Sequence, residues 1–426
     1  MKHIAILGFG CAGYHCARTL REEGYTGELH VFSDTDLPPY NPMLTTYYAG
    51  GRLPREGMFP FGGREEIVSS LDLIFHGGRA VKHLDAGRRE ITLANGEKHG
   101  FDAALIATGA QVFRPRLAHI PEKNVYGIRT PEDAEALRRR MGEGAIRHAV
   151  VVGASMVGIK AAELFQRAGI PCVLADLASG LFPLAAVPEV AAELKKRIEE
   201  KGVALKLGAG LTAIEETGDG LLVSFGEERV FTDLVVLALG TRPNLDFLDE
   251  DGPRVDKGIL INERMETSVP DIYAAGDCAS GRNIQTGRNQ TIGLWANAGF
   301  QGDTAARAML GKEAAYPGTM PHNITHFMDM DFIGFGDVAA EGEIIRYRKE
   351  DFFLYAVRRE GKLALVNIVD NESISGVIKS FMTRRFLGVD EPLGPMQKAV
   401  LLCNGLDNDI IALLEHTKPE GGGLYG

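Results

Sequence analysis

The chain has 426 residues, enough for two or three domains, and its 45% apolar and 24% charged residues are the balance of an ordinary globular protein. A net charge of −11 excludes a protein that holds nucleic acid by bulk phosphate attraction, which needs a surplus of Lys and Arg. No apolar run approaches the roughly 20 residues of a membrane-spanning helix, and Met1-Lys2-His3 leads into a strand pattern without the apolar region of a signal peptide, so a cytoplasmic protein is expected.

The first predicted strand, Ile4-Ala5-Ile6-Leu7, runs into Gly8-Phe9-Gly10-Cys11-Ala12-Gly13, and Tyr14 to Arg21 continue as a helix. This is a G-x-G-x-x-G turn. Gly8 makes the tight turn, Gly10 lets backbone approach a pyrophosphate, and Gly13 lets helix and strand pack closely. The helix start then offers unpaired N–H groups and a positive dipole end to the phosphates. A second strand, Leu29-His30-Val31-Phe32-Ser33, ends at Asp34, an acid about 20 residues on that suits a ribose hydroxyl; Asp36 is a competing choice.

A second turn of this kind follows the strand His148 to Val152, as Gly153-Ala154-Ser155-Met156-Val157-Gly158, with Ser155 in place of the middle glycine. Its next strand, Cys172-Val173-Leu174-Ala175, ends at Asp176. An acid there takes the adenosine 2′-hydroxyl and repels a 2′-phosphate, and no arginine follows in Leu177-Ala178-Ser179, so NAD is expected over NADP. Two such units in one chain point to one prosthetic and one diffusible dinucleotide.

Cys11, Cys16, Cys172, Cys278 and Cys403 have no zinc, iron–sulfur or C-x-x-C spacing. His322 and His326 have a metal spacing only if they lie on a helix, and strand-like residues follow them. No metal site is expected. The basic runs Arg138 to Arg140 and Lys195 to Arg197 suit solvated helix faces.

With these turns in order, the chain resembles the pyridine-nucleotide flavoprotein reductases over about residues 1 to 385. Four more segments carry the likeness. Ala104 to Gly109 is similar to the strand returning to the FAD site, and Val236 to Asn244 to the segment closing the NAD domain. Val269 to Asp277 resembles the second FAD fingerprint, in which the acid, here Asp277, holds the ribityl chain. Trp295 to Gly302 resembles the segment beside the isoalloxazine. The resemblance implies FAD contacts at Gly8, Gly10, Ala12, Gly13, Asp34, Thr108, Gly109, Asp277 and Trp295. It implies NAD contacts at Gly153, Ser155, Met156, Val157, Gly158, Asp176 and Gly240.

The implied fold is α/β, with two Rossmann-like dinucleotide-binding domains plus a small α+β C-terminal domain. Residues 1–115 and 243–318 would form a discontinuous FAD domain, 116–242 an inserted NAD domain, and 319–394 the C-terminal domain. Residues 325 to 385 read as strand, strand, strand, helix, which resembles the C-terminal domain of rubredoxin, ferredoxin and nitrite reductase flavoproteins. Residues 395–426 would be a helical extension, interrupted at Asn404-Gly405, and a tail without a packing signal.

Relatives with a thiol relay carry a cysteine in the stretch matching Pro39 to Tyr48, and this chain has none there. Electrons are therefore expected to leave the flavin directly. Rubredoxin-reductase relatives pair a lysine in that stretch with a glutamate on the NAD-domain helix, beside flavin N5. Here those positions hold Thr46, reached through a one-residue gap, and Lys160. Either Lys160 acts as a single cation replacing that ion pair, or it is turned outward or pairs with Glu163 or another carboxylate. Met156 stands where many relatives carry an aromatic gate, and either opens the nicotinamide pocket or packs in the core.

The resemblance implies an FAD-dependent oxidoreductase moving electrons between NAD(H) and an iron–sulfur protein such as rubredoxin or ferredoxin, without a redox-active cysteine. Two alternatives stand beside it. One is the NAD(H)-reacting subunit of a multisubunit 2-oxoacid oxidoreductase, since the tyrosine-rich 40–48 stretch and the extra C-terminus are similar to the flavoprotein subunit of phenylglyoxylate dehydrogenase. The other is a non-catalytic scaffold that retains FAD. A homodimer and a hetero-complex both remain open.

Overall fold

The computed structural model describes residues 3–416. The chain divides into two compact units. The first takes the residues up to Pro115, Gly127–Gly144 and Leu239–Thr319; the second takes Arg116–Tyr126, Ala145–Ala238 and the residues from Met320 onward.

In the first unit Ile4–Leu7 is the middle strand of a five-stranded parallel sheet, in the order Ile272–Ala274, Ala103–Ile106, Ile4–Leu7, Leu29–Phe32, Ile74–His76. The strands Ile4–Leu7 and Ala103–Ile106 are buried at every residue, which is why they read as unbroken apolar runs rather than alternating ones. The helices Cys11–Glu22 and Trp295–Met309 lie against each other so closely that a Cβ on Gly302 would meet the Ala12 carbonyl oxygen at 2.3 Å. A three-stranded antiparallel meander, Val81–Asp85, Glu90–Leu93 and Lys98–Gly100, adds Leu84, Ile91 and Leu93 to the same core. The helix Pro131–Gly142, inside the segment expected for the inserted domain, packs in this unit instead. Arg138 of that helix lies over the Tyr48 ring at 4.8 Å and donates to the Tyr48 carbonyl.

The second unit repeats the plan. Its parallel sheet runs Ala204–Leu207, Cys172–Asp176, Ala149–Val152, Leu234–Leu237, Val125–Tyr126. The helices Met156–Arg167 and Pro188–Glu200 form the first two crossovers, and a meander over Ala213–Thr232 precedes the return strand.

The C-terminal sheet packs in this second unit and has five antiparallel strands: His322–Phe327, Met330–Gly336, Lys362–Val369, Phe352–Arg359, Glu343–Lys349 in spatial order. The sequence gives three of them. The first two form a hairpin whose turn residues, Met328 and Asp329, both have positive φ (48° and 63°) with no glycine to mark it. The fully buried Asn367 side chain accepts from Val187 N–H at 2.9 Å and donates to the Ala185 carbonyl at 2.8 Å, and Phe182 stacks on Phe332 at 4.4 Å. The helices Ser375–Phe386, Pro395–Cys403 and Asn408–Glu415 complete the unit; Gly405, with φ of 96°, makes the expected break between the last two. The tail expected over 417–426 lies outside the described residues.

Candidate functional site

In the first unit the glycine turn has the geometry its residues require. Gly8 has φ of 110°, and a Cβ there would meet the Ala107 carbonyl oxygen at 2.2 Å; a Cβ on Gly13 would meet the Gly8 carbonyl oxygen at 2.1 Å. At Gly10 a Cβ would meet nothing within 4 Å, so the space over the helix start is open. Ala12 and Ala298, from the first turns of Cys11–Glu22 and Trp295–Met309, both approach Gly276: a Cβ there would lie 3.3 Å from one and 3.6 Å from the other. Asp277 follows directly.

The helices that open here differ from others in the chain. Cys11–Glu22 and Trp295–Met309 have no side-chain cap and no acid in their first turns. By contrast, Pro131–Gly142 has a Thr130/Asp133 capping box with Glu132 and Asp133 in its first turn, and Asp407 caps Asn408–Glu415. A helix start without a cap or an acid keeps its N–H groups and positive dipole end for an outside anion. The residues present thus fit a pyrophosphate.

Asp34 is exposed at the end of Leu29–Phe32. Asp36, the competing acid, pairs with Arg64 at 3.3 Å and lines a cavity of about 440 Å³ with Phe75, His76 and Arg79. Thr108 and Gly109 are fixed by Asn244, which accepts from the Thr108 hydroxyl at 2.8 Å through its carbonyl, donates from its side chain to the Thr108 carbonyl at 3.1 Å, and donates from its N–H to the Gly109 carbonyl. Asp277 accepts from Arg129 at 2.8 Å, and Arg129 also donates to the Ala110 carbonyl at 2.7 Å. Gln301 accepts from Gly276 N–H. Arg129, Asn244 and Gln301 were not singled out from the sequence. Their partners lie 148, 136 and 25 residues away, beyond any local motif. Trp295 stacks with Phe61 at 5.6 Å, and Thr46 is buried in the short helix Thr45–Ala49.

The second unit holds Gly153, Ser155, Met156, Val157, Gly158 and Asp176 together, while Gly240 belongs to the first unit. Gly153 has φ of 114°, and a Cβ on Gly158 would meet the Gly153 carbonyl oxygen at 1.6 Å. Ser155 is the N-cap of Met156–Arg167, but its side chain makes no capping bond, and the first turn again holds no acid. Val157 is exposed, and Met156 is half-buried. Asp176 shapes the loop beside it, accepting from Ala154 N–H at 2.6 Å and Ala178 N–H at 2.7 Å.

Lys160 is not a single cation. Its buried ammonium pairs with Glu163 and donates to the His326 carbonyl at 2.8 Å. Glu163 also accepts from Arg167 at 2.9 Å and Met328 N–H at 2.9 Å, and Arg167 reaches Asp329 at 3.0 Å. This is the pairing with Glu163 that the sequence left open, and helical spacing explains it, because residues three and four apart share a face and place the acid within reach of both bases. Burial by itself raises the Glu163 carboxyl, but the Lys160 hydrogen bond, the Met328 N–H, the Lys160 charge and Arg167 outweigh it and hold it at about 2.

The five thiols are free, and all but Cys403 are buried; burial pushes Cys11 and Cys172 up to about 12. His322 and His326 lie on a strand and take separate partners: His322 meets Lys379 at 2.8 Å, and His326 meets Asp331 at 2.8 Å.

A profile of the family described as pyridine nucleotide-disulphide oxidoreductase matches residues 2–302. Rubredoxin-NAD(+) reductase of Pseudomonas putida is 27% identical over 341 residues, covering 78% of this chain and 86% of that protein. The NADH-dependent phenylglyoxylate dehydrogenase subunit epsilon of Aromatoleum evansii is 28% identical over 397 residues, covering 89% and 91%. Among solved structures, the covalent putidaredoxin reductase–putidaredoxin complex superposes with a TM-score of 0.83 at 24% identity, over 95% of this chain and 99% of that one.

Proposed function

The chain belongs to the pyridine nucleotide-disulphide oxidoreductase family, and from that premise we propose that it is an FAD-dependent enzyme moving electrons between NAD(H) and an iron–sulfur protein such as rubredoxin or ferredoxin. The carrying observation is the pair of glycine turns, each opening an uncapped, acid-free helix in its own parallel sheet. Bound at these residues, FAD would supply the chemistry that links two-electron exchange with nicotinamide to one-electron carriers.

The chain's residues bind and orient. In this reading the first unit, with residues up to Pro115, Gly127–Gly144 and Leu239–Thr319, holds FAD, and the second unit, which includes the C-terminal sheet, holds NAD(H). Gly8, Gly10, Ala12 and Gly13 receive the FAD pyrophosphate on the first helix start, and Asp34 receives the ribose. Asp277, held by Arg129, accepts from the ribityl chain; Thr108 and Gly109, held by Asn244, line the same site, and Trp295 covers it. Gly153, Ser155, Met156, Val157 and Gly158 take the NAD pyrophosphate and Asp176 the adenosine ribose. Thr46, in the first unit, and Lys160, in the second, match in sequence the positions at which relatives carry a lysine and a glutamate. Lys160 acts there as a positioning residue, fixing Glu163 and through it the Met328 turn.

Rubredoxin and ferredoxin, offered in turn with NADH to the FAD-loaded chain under anaerobic conditions, are the test of the acceptor. The expected outcome is rapid reduction of one of them and little turnover of a disulfide. Faster turnover of the disulfide overturns the assignment. Likeness to the phenylglyoxylate dehydrogenase subunit is of the same degree as likeness to rubredoxin-NAD(+) reductase, so it does not single out a multisubunit complex.

A further inference from the structure

Outside both glycine-turn sites, three histidines of the first unit converge. Strand period two puts His30 and Phe32 on one face, and parallel pairing sets His76 beside Phe32. The Phe32 ring stacks on His76 at 4.5 Å, inclined by 9°. His99 arrives from Lys98–Gly100 of the meander, edge-on to His76 at 4.7 Å. One ring nitrogen from each of His30, His76 and His99 lies within 4.8 Å of the other two.

Two features distinguish this cluster from a simple packing of rings. The first is orientation: Nδ1 of His30 is 3.1 Å from Nε2 of His76, while Nε2 of His30 faces the Glu28 carboxylate at 3.4 Å. A carboxylate on one ring nitrogen holds the proton there and leaves a lone pair on the other, as in metal-binding histidines. The second is an unmet need: Nε2 of His99 is buried without a hydrogen-bond partner, and the Glu97 carboxylate lies 3.7 Å away.

We propose that His30, His76 and His99 bind a divalent transition-metal ion of the zinc class, which clamps the meander to the edge of the five-stranded sheet. Imidazole nitrogens suit this class of ion, and a water completes a four-coordinate site. Tetrahedral zinc with nitrogens at 2.0–2.1 Å holds them about 3.3 Å apart. The His30–His76 pair is already close to that spacing, and His99 needs to close by at most about 1.5 Å. On binding, the proton between His30 Nδ1 and His76 Nε2 passes through solvent to His76 Nδ1, so that both rings coordinate as neutral imidazoles.

The test uses tag-free, FAD-loaded protein, stripped with a chelator, dialysed against Zn²⁺, passed through gel filtration and analysed for metal. The expected result is one equivalent of zinc retained by the unaltered chain and lost in His99→Gln and in His30→Gln, with FAD content unchanged. Zinc should also raise the unfolding temperature of the unaltered chain and leave both variants unmoved. If the unaltered chain retains no zinc, or the variants retain as much, the histidines are a packed ring cluster and the proposal fails.

Discussion

Glu163 is 1% exposed and accepts from Lys160, Arg167 and the Met328 N–H. Removing one partner of a buried ion pair leaves the other charge uncompensated, which costs about 3–5 kcal/mol. Glu163→Gln is therefore expected to lower the unfolding free energy by about that amount. The pH dependence has a definite sign. The folded-state carboxyl is held at about 2, below its ordinary 4.5, so its contribution is fully present above pH 4.5 and fades as pH falls towards 2. Denaturation of both chains across that window checks this: the gap between them should close on acidification, and a constant gap contradicts it. The Lys160 partner of Glu163 was legible in the sequence from its helical spacing. Met328 was not, because 165 residues separate it from Glu163.

At the scale of elements, the glycine turns were legible because their constraint is local. Gly8 and Gly153 need positive φ, and Gly13 and Gly158 need bare backbone against the strand end, so the residue types declare the geometry. The hairpin joining His322–Phe327 to Met330–Gly336 was hidden for the opposite reason. Its turn is held by tertiary contact with Glu163 rather than by residues that prefer it. The cluster of His30, His76 and His99 was also hidden, because each histidine comes from a different strand and no spacing marks them.

Gly10 separates binding from folding. Since a Cβ there meets no protein atom, Gly10→Val should leave the fold intact apart from about 1 kcal/mol for a poorer N-cap. The side chain would stand over the uncapped helix start, and FAD affinity should fall about 100-fold or more, equivalent to about 2.7 kcal/mol. Flavin titration of the apoprotein, with thermal unfolding alongside, reads both effects. Unchanged FAD affinity would remove the pyrophosphate from this helix.

For the whole molecule, the sequence pointed to two nucleotide turns and a smaller C-terminal region, and the structure has two parallel sheets, one in each compact unit. The placing of Pro131–Gly142 and of the C-terminal sheet was not legible. It depends on contacts such as Arg138 with Tyr48 and Asn367 with Ala185, which connect residues far apart in the chain. The central claim is chemical: electrons from NADH reach FAD held by the same chain. Anaerobic stopped-flow mixing of the FAD-loaded protein with NADH tests this most directly. The account predicts that the oxidised flavin band bleaches rapidly, and more slowly with NADPH; a flavin that stays oxidised under excess NADH would leave an FAD-retaining scaffold and contradict the account.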